Sequence, residues 1–389
     1  MNAKIVFAVS VAMLVIASVL SAQSIPRPAP SAAISLNDLW SRGKAAGRGP
    51  VRLKCFPLRA EDLQCVIPMG MMVHGHVTPS DHLSLQPKDR SAPSDRYEVV
   101  APADGFIVDI QRPPAGNPDP GVRSYGGDYR IIVEHSSTFY TWFGLVDRLE
   151  EGIVKAAGGP PPAGPPVGVR IPVKAGQIIG RTGGGHGLDF TLINTDSTLR
   201  GFSNLAQFHH RDPWKPHVTD PFPFLDEPLK SQLLALNPRT AGPRGGRIDY
   251  DVDGTLAGNW YREGSGGYAG LNRRMDYWVG HLAFAYHHID PTKVVVSIGD
   301  FDGRPRQFWV KGNAPDPAKV GEKDGVVSFE LIWGQINNSG QPYEGIPTTV
   351  QGTVLAQVLP GQKVKFEAFP GKPASEARAF TSAAKIYER

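Results

Sequence analysis

Three runs decide how this chain reads: VVAPADGFIVDI (Val99–Ile110), DYRIIVEHSSTFYTWFGLV (Asp128–Val146) and VKAGQIIGRTGGGHGLDFTLIN (Val173–Asn194). Each alternates turn chemistry with β-branched and aromatic residues. Pro102, Asp104 and Gly105 supply turn dihedrals ahead of Phe106–Ile110, and Lys174-Ala175-Gly176-Gln177 does the same ahead of Ile178-Ile179. Proline and glycine fix or free the backbone where the chain must reverse, and the branched residues between them suit a pleated core. The first folded unit is therefore expected to be an antiparallel β structure.

Working outward, the N-terminus has the pattern of an export signal. Lys4 precedes a short apolar run, Ile5–Leu20, and Ser21-Ala22 ends in small residues, so cleavage is expected after Ala22. The run is short for a stable membrane span. Residues 23–50, rich in Pro, Ala, Ser and Arg, read as a linker in which Leu36–Arg42 has the spacing of a helical turn. The first unit spans 51–206 and is interrupted by Ala156–Gly168, almost all Ala, Gly and Pro, which reads as an exposed loop. Residues 207–246 are broken by proline and read as a surface connector with a short helix at Leu229–Leu236.

Residues 247–389 carry nine candidate strands: Gly246–Val252, Gly258–Arg262, His281–Tyr286, Lys293–Ile298, Gln307–Lys311, Val326–Trp333, Val350–Val358, Lys363–Phe369 and Ala383–Tyr387. Asp-Gly, Asp-Pro and Pro-Gly turns separate them. Short strands so punctuated predict a sandwich or closed barrel. Gly258-Asn259-Trp260 resembles the Gly-x-Trp opening of lipocalin-type barrels.

A net charge of +4 over 389 residues, with no basic run interleaved with aromatics, argues against a nucleic-acid partner. Export would place the only two cysteines, Cys55 and Cys65, in an oxidising compartment, where a disulfide is expected.

The ordered blocks from His82 to Asn194 resemble the lysostaphin-type, or LytM-type, zinc endopeptidases that cut peptidoglycan cross-bridges. VVAPADGFIVDI matches the family's "APADGxV" strand–turn–strand, IIVEHSSTFYTWFGLV its "VxIDHGxGxYTxYAHL" region, VKAGQIIGRTG its "VKxGQxIGxxG" hairpin, and GLDFTL its "HLHFEV" strand. The resemblance covers under a third of the chain. It implies a duplicated hybrid motif (a barrel-sandwich hybrid) followed by the second all-β unit, with zinc in the groove of the first.

The resemblance also implies a ligand set, and here the chain departs from it. The first-ligand histidine falls on His82. The ligand Asp four residues later falls on Gln86, a neutral amide. The helper histidine of the Tyr-Ala-His-Leu block falls on Leu145, and the His-x-His pair falls on Gly187 and Asp189, while His135 takes a structural position. His82 and Asp189 thus remain as metal-ligand positions, facing one another across the groove. His74, His76 and His186 lie close in sequence, and His76 or His186 could supply replacement ligands. No residue is assigned a catalytic role.

Two functions follow. One is a secreted or periplasmic, catalytically inactive peptidase-like module that binds cell-wall peptidoglycan or an envelope protein without zinc. The other is an active zinc metalloendopeptidase with rearranged ligands. A lipoyl/biotinyl carrier would share the hairpin rhythm, but the chain has no Met-Lys pair at a turn. His287-His288 sits at a strand end, where consecutive side chains are expected to point to opposite faces. Asp249, Asp251 and Asp253 alternate along a candidate strand and would share one face. Trp260, Trp278, Trp309 and Trp333 are read either as a sugar platform or as core aromatics.

Overall fold

Prolines and glycines space the elements of the first half so closely that only short strands form. A computed structural model describes residues 35–114, 128–270, 276–312, 314–334 and 348–389. The signal region and residues 23–34 of the linker lie outside them. The first half contains β1 (Leu63–Ile67), β2 (Leu83–Pro87), β3 (Tyr97–Val100), β4 (Gly105–Gln111), β5 (Tyr129–Ser136), β6 (Phe139–Val146), β7 (Arg148–Leu149), α1 (Glu151–Ala156), β8 (Val167–Val173), β9 (Ile178–Thr182), β10 (Leu188–Asn194) and β11 (Val218–Thr219). One antiparallel sheet runs in the order β1-β2-β10-β6-β5-β4-β8, with β11 on β10, and β3-β9-β7 forms a second. Phe139, Phe143, Phe190, Leu83 and Ile131 are fully buried in its core.

The turn between β3 and β4 explains one glycine. A Cβ on Gly105 would lie 2.2 Å from the carbonyl oxygen of Glu134, so β4 can approach β5 only without a side chain there. His135 fastens the same turn, its Nδ1 2.9 Å from the Asp104 carbonyl oxygen and its Nε2 3.0 Å from Thr141 Oγ1.

The second half folds as a closed antiparallel barrel. Its strands are β12 (Gly258–Arg262), β13 (His281–Tyr286), β14 (Val294–Phe301), β15 (Arg304–Val310), β16 (Val327–Ile332), β17 (Val350–Leu359), β18 (Lys363–Pro370) and β19 (Lys385–Glu388). Each pairs with the next, and β12 pairs with β19, with Tyr261 opposite Glu388, to close the ring. The architecture is thus mainly β, with antiparallel sheets followed by an eight-stranded barrel; of sandwich and barrel, the barrel is correct. Period-2 alternation puts Val364 and Phe366 inside and Lys363 and Lys365 outside on β18. Trp260, Phe284, Phe308, Phe329 and Phe366 pack the interior. The Trp260 indole N–H donates to Leu256 O at 2.9 Å, and the Arg389 guanidinium lies 4.1 Å from its ring centroid.

Three expectations need correction. Gly246–Val252 is not a strand. Its acidic side chains take the donors that a ladder would use: Asp249 Oδ2 accepts from Gly201 N at 2.8 Å, and Asp251 accepts from Ser203 N at 3.0 Å and Asn259 N at 2.7 Å. The connector is not a surface feature, although its helix forms as α2 (Leu229–Ala235). Proline denies it regular structure, but Phe208, Phe222, Leu225 and Leu233 are buried, as are Leu36 and Trp40 of the stretch read as linker. Residues 33–389 cluster as one compact unit. The third correction concerns the cysteines, which form no disulfide. Cys55 donates to the Ala101 carbonyl oxygen at 3.2 Å, whereas Cys65 is buried on β1, and burial pushes its thiol up to about 11. Closeness in sequence does not aim the two sulfurs at each other. Denatured, unreduced protein is expected to titrate two thiols per chain with a chromogenic disulfide reagent, and none if they were bridged.

Candidate functional site: a groove with its own cations

Register places the groove residues. Asp189 on β10 lies opposite Ser84 on β2 and Gly144 on β6, and Thr191 lies opposite Trp142. Opposed residues share a face, so Ser84, Gln86, Asp189, Thr191 and Trp142 line one side of the sheet. His82 stands just before β2. Its Nδ1 is 3.3 Å from Asp81 Oδ1 and its Nε2 is 3.6 Å from Asp189 Oδ2. The expected pair across the groove is therefore present as an ion-pair contact. The ring of His76 lies 5.1 Å from that of His82, and Trp142 lies 6.1 Å away on a roughly parallel plane.

The connector closes over this face. Trp214 Nε1 donates to Asp81 Oδ2 at 3.1 Å. Lys215 is only 3 % exposed, and its ammonium lies 3.4 Å from Tyr268 Oη. Burial alone would raise the Asp81 carboxyl. The Lys215 ammonium and the His82 imidazole overcome that and hold it below the usual carboxylate range. Burial likewise opposes charge on His82, but Asp189 and Asp81 on either side raise its pKa above the ordinary value. Asp189 is raised by burial, against the pull of His82. His76 is forced down to about 3 by burial and by the neighbouring His82, so it is neutral.

Gln86, where the family has an acidic ligand, is held elsewhere. Its Nε2 donates to Ser84 Oγ at 2.6 Å, and its Oε1 accepts from Arg90, which also donates to Gly185 O at 2.9 Å. His186 is held by Asp147. Its Nε2 is 3.1 Å from Asp147 Oδ1 and its Nδ1 is 2.7 Å from Gly187 O. Burial opposes its charging, and the Asp147 carboxylate raises its pKa. The backbone is left-handed at both positions where the resemblance places helpers. Leu145 has φ +61°, and Gly187 has φ +83°. A Cβ on Gly187 would lie 2.6 Å from Leu85 O. Gly187→Ala is expected to cost at least about 1 kcal/mol in urea unfolding, because both the dihedral and the space exclude a side chain. Gly187→His should regain no hydrolytic activity. An unchanged midpoint would contradict this reading.

The His74-Gly75-His76 turn separates its two histidines. It is pinned by Val73 and His76, whose backbones exchange hydrogen bonds of 3.2 and 2.9 Å. His76 faces His82, while His74 borders a different cavity against the barrel. His287 and His288 depart from expectation: β13 ends at Tyr286, so strand alternation no longer applies, and their rings lie 4.3 Å apart.

These residues do not fit zinc. Among the described residues, no group of three or more His, Cys, Asp or Glu is arranged to hold a metal ion. His82 already faces two carboxylates, and a buried ammonium biases the same acids. A divalent cation would have to enter beside the buried Lys215 ammonium and compete for acids that it already biases. The sequence reading missed Trp214, Lys215, Asp147 and Arg90. The only signal for the first two was an aromatic and a lysine between prolines in RDPWKPH. No family model matches the chain, and no curated protein matches it in sequence. No helix among the described residues is long and apolar enough to cross a membrane.

Proposed function

We propose that this protein is an exported, non-catalytic relative of the LytM-type peptidases that binds a cell-envelope ligand, with peptidoglycan the first candidate. One observation supports the absence of chemistry above the others: the buried Lys215 ammonium bears on the groove acid Asp81, where a peptidase would place a metal ion's charge. Peptide hydrolysis by zinc needs an activated water and a donor for the tetrahedral oxyanion. Leu145 and Gly187 offer no side-chain donor, and the Gln86 amide is engaged by Ser84 and Arg90. The groove is also roofed by Trp214, which leaves a binding role to the outer surfaces.

Two readouts test the proposal. Cell-wall suspensions incubated with the protein and added zinc should keep their turbidity, while purified sacculi should co-sediment the protein. Chelator-sensitive clearing would overturn the non-catalytic part. Protein left wholly in the supernatant would overturn the peptidoglycan part.

A further inference from the structure

A cavity lies between the loop after β1 and the outer wall of the barrel, and it shares no lining residue with the groove. Its volume is about 310 Å³, within the range of small-molecule sites. The wall is mixed: Met71 and Met72 from the loop and Trp309 and Trp333 from the barrel give its apolar part, and His288, Arg306 and Gln307 its polar part. Met72 packs with the outward-facing Ala283, Ala285 and Val295, so the loop is fixed against the barrel. Gln307 Nε2 donates to the His74 carbonyl oxygen at 3.1 Å and holds the rim.

Two polar groups in this wall are unspent. His288 is 9 % exposed and lines the cavity, yet its ring makes no hydrogen bond among the described residues. Its position is fixed all the same, because Arg239 donates to its carbonyl oxygen at 2.7 Å and the His287 ring lies against it. Burial keeps the imidazole neutral, with one donor and one acceptor to offer. The Arg306 guanidinium lies 5.4 Å from the Trp333 ring centroid, and no carboxylate among the described residues pairs with it. Both groups face the cavity with hydrogen-bonding capacity that a ligand can take up.

We propose that this cavity binds a small organic carboxylate with an apolar ring, the ring lying between Trp309 and the methionines and the carboxylate meeting Arg306 and His288. The inference stands apart from the reading of the groove.

Isothermal titration of the full chain with naphthalene-2-carboxylate tests it, alongside the uncharged naphthalene-2-carboxamide. Saturable one-site binding is expected, with the acid tighter by about ten-fold, the size of one charge-assisted contact. Arg306→Gln, at the mouth of the cavity, should abolish that preference while the amide still binds. Val73→Trp, which fills the cavity from the loop, should abolish both with an unchanged melting temperature. The proposal is overturned by the absence of saturable binding, by equal affinity for acid and amide in the native chain, or by binding that survives in Val73→Trp. Binding of glucuronate with no response to the naphthalene acid would overturn it as well.

Discussion

Lys215→Met should destabilise the protein by about 3–5 kcal/mol, the cost of removing one partner from a buried ionic cluster. The lysine stem would be replaced by a side chain of similar length, so packing is nearly conserved and the loss isolates the charge. Without the ammonium, Asp81 keeps Trp214 and His82 as neighbours but loses the cation that most lowers its pKa. Its folded pKa would then rise toward the value in the unfolded chain. A carboxyl whose pKa is depressed on folding contributes its stability above the unfolded pKa of about 4 and loses it only as pH falls below that value. The difference between mutant and native protein should therefore be of the same size at pH 8 and pH 6. Urea melts at the two pH values measure it. A loss below about 1 kcal/mol at both would mean that Lys215 does not compensate the groove acids.

Acid should unfold the native chain well above the range in which its carboxylates titrate. Burial holds His76 and His281 down to about 3, and His135 and His287 down to about 4. In the unfolded chain each returns to about 6.5. Between those values the unfolded state binds more protons, so stability falls as pH drops below about 6.5. Each histidine then contributes about 1.4 kcal/mol of loss per pH unit. Asp109 opposes this, because burial raises its carboxyl to about 6 and it gains stability over part of the same window. His82 and His186, both raised, keep their contribution on the acid side. The four depressed histidines outweigh these terms, and marginal stability of about 5–15 kcal/mol cannot absorb them. Far-ultraviolet circular dichroism should show a cooperative transition between about pH 6 and 4. Native signal retained at pH 3.5 would contradict it.

Much of the fold is written locally. Eight of the nine strands expected in the second half lie within a few residues of β12–β19, because period-2 burial and Asp-Gly or Pro-Gly turns are local signals. Gly246–Val252 fails for a reason that alternation cannot express: its carboxylates bind backbone donors at Gly201, far away in sequence, and at Asn259. The choice of barrel over sandwich also needed long-range information, the pairing of β12 with β19. In the groove, His82 and Asp189 were legible only through the resemblance of the ordered blocks, and they lie 3.6 Å apart. Lys215 was not, since a lysine in a proline-rich stretch ordinarily reads as solvated. Nor did sequence separate His76 from His74, because the turn that divides them depends on φ +49° at His74, which composition does not encode.

The central claim is that the groove's acids are neutralised by the protein's own cations and leave no place for a metal. Calorimetric titration of zinc into the native chain at pH 7.5, with His82→Ala alongside, tests it most directly. Heats indistinguishable between the two proteins, with no saturable site, are the expected result. Stoichiometric zinc binding that His82→Ala and Asp189→Ala both abolish would contradict it.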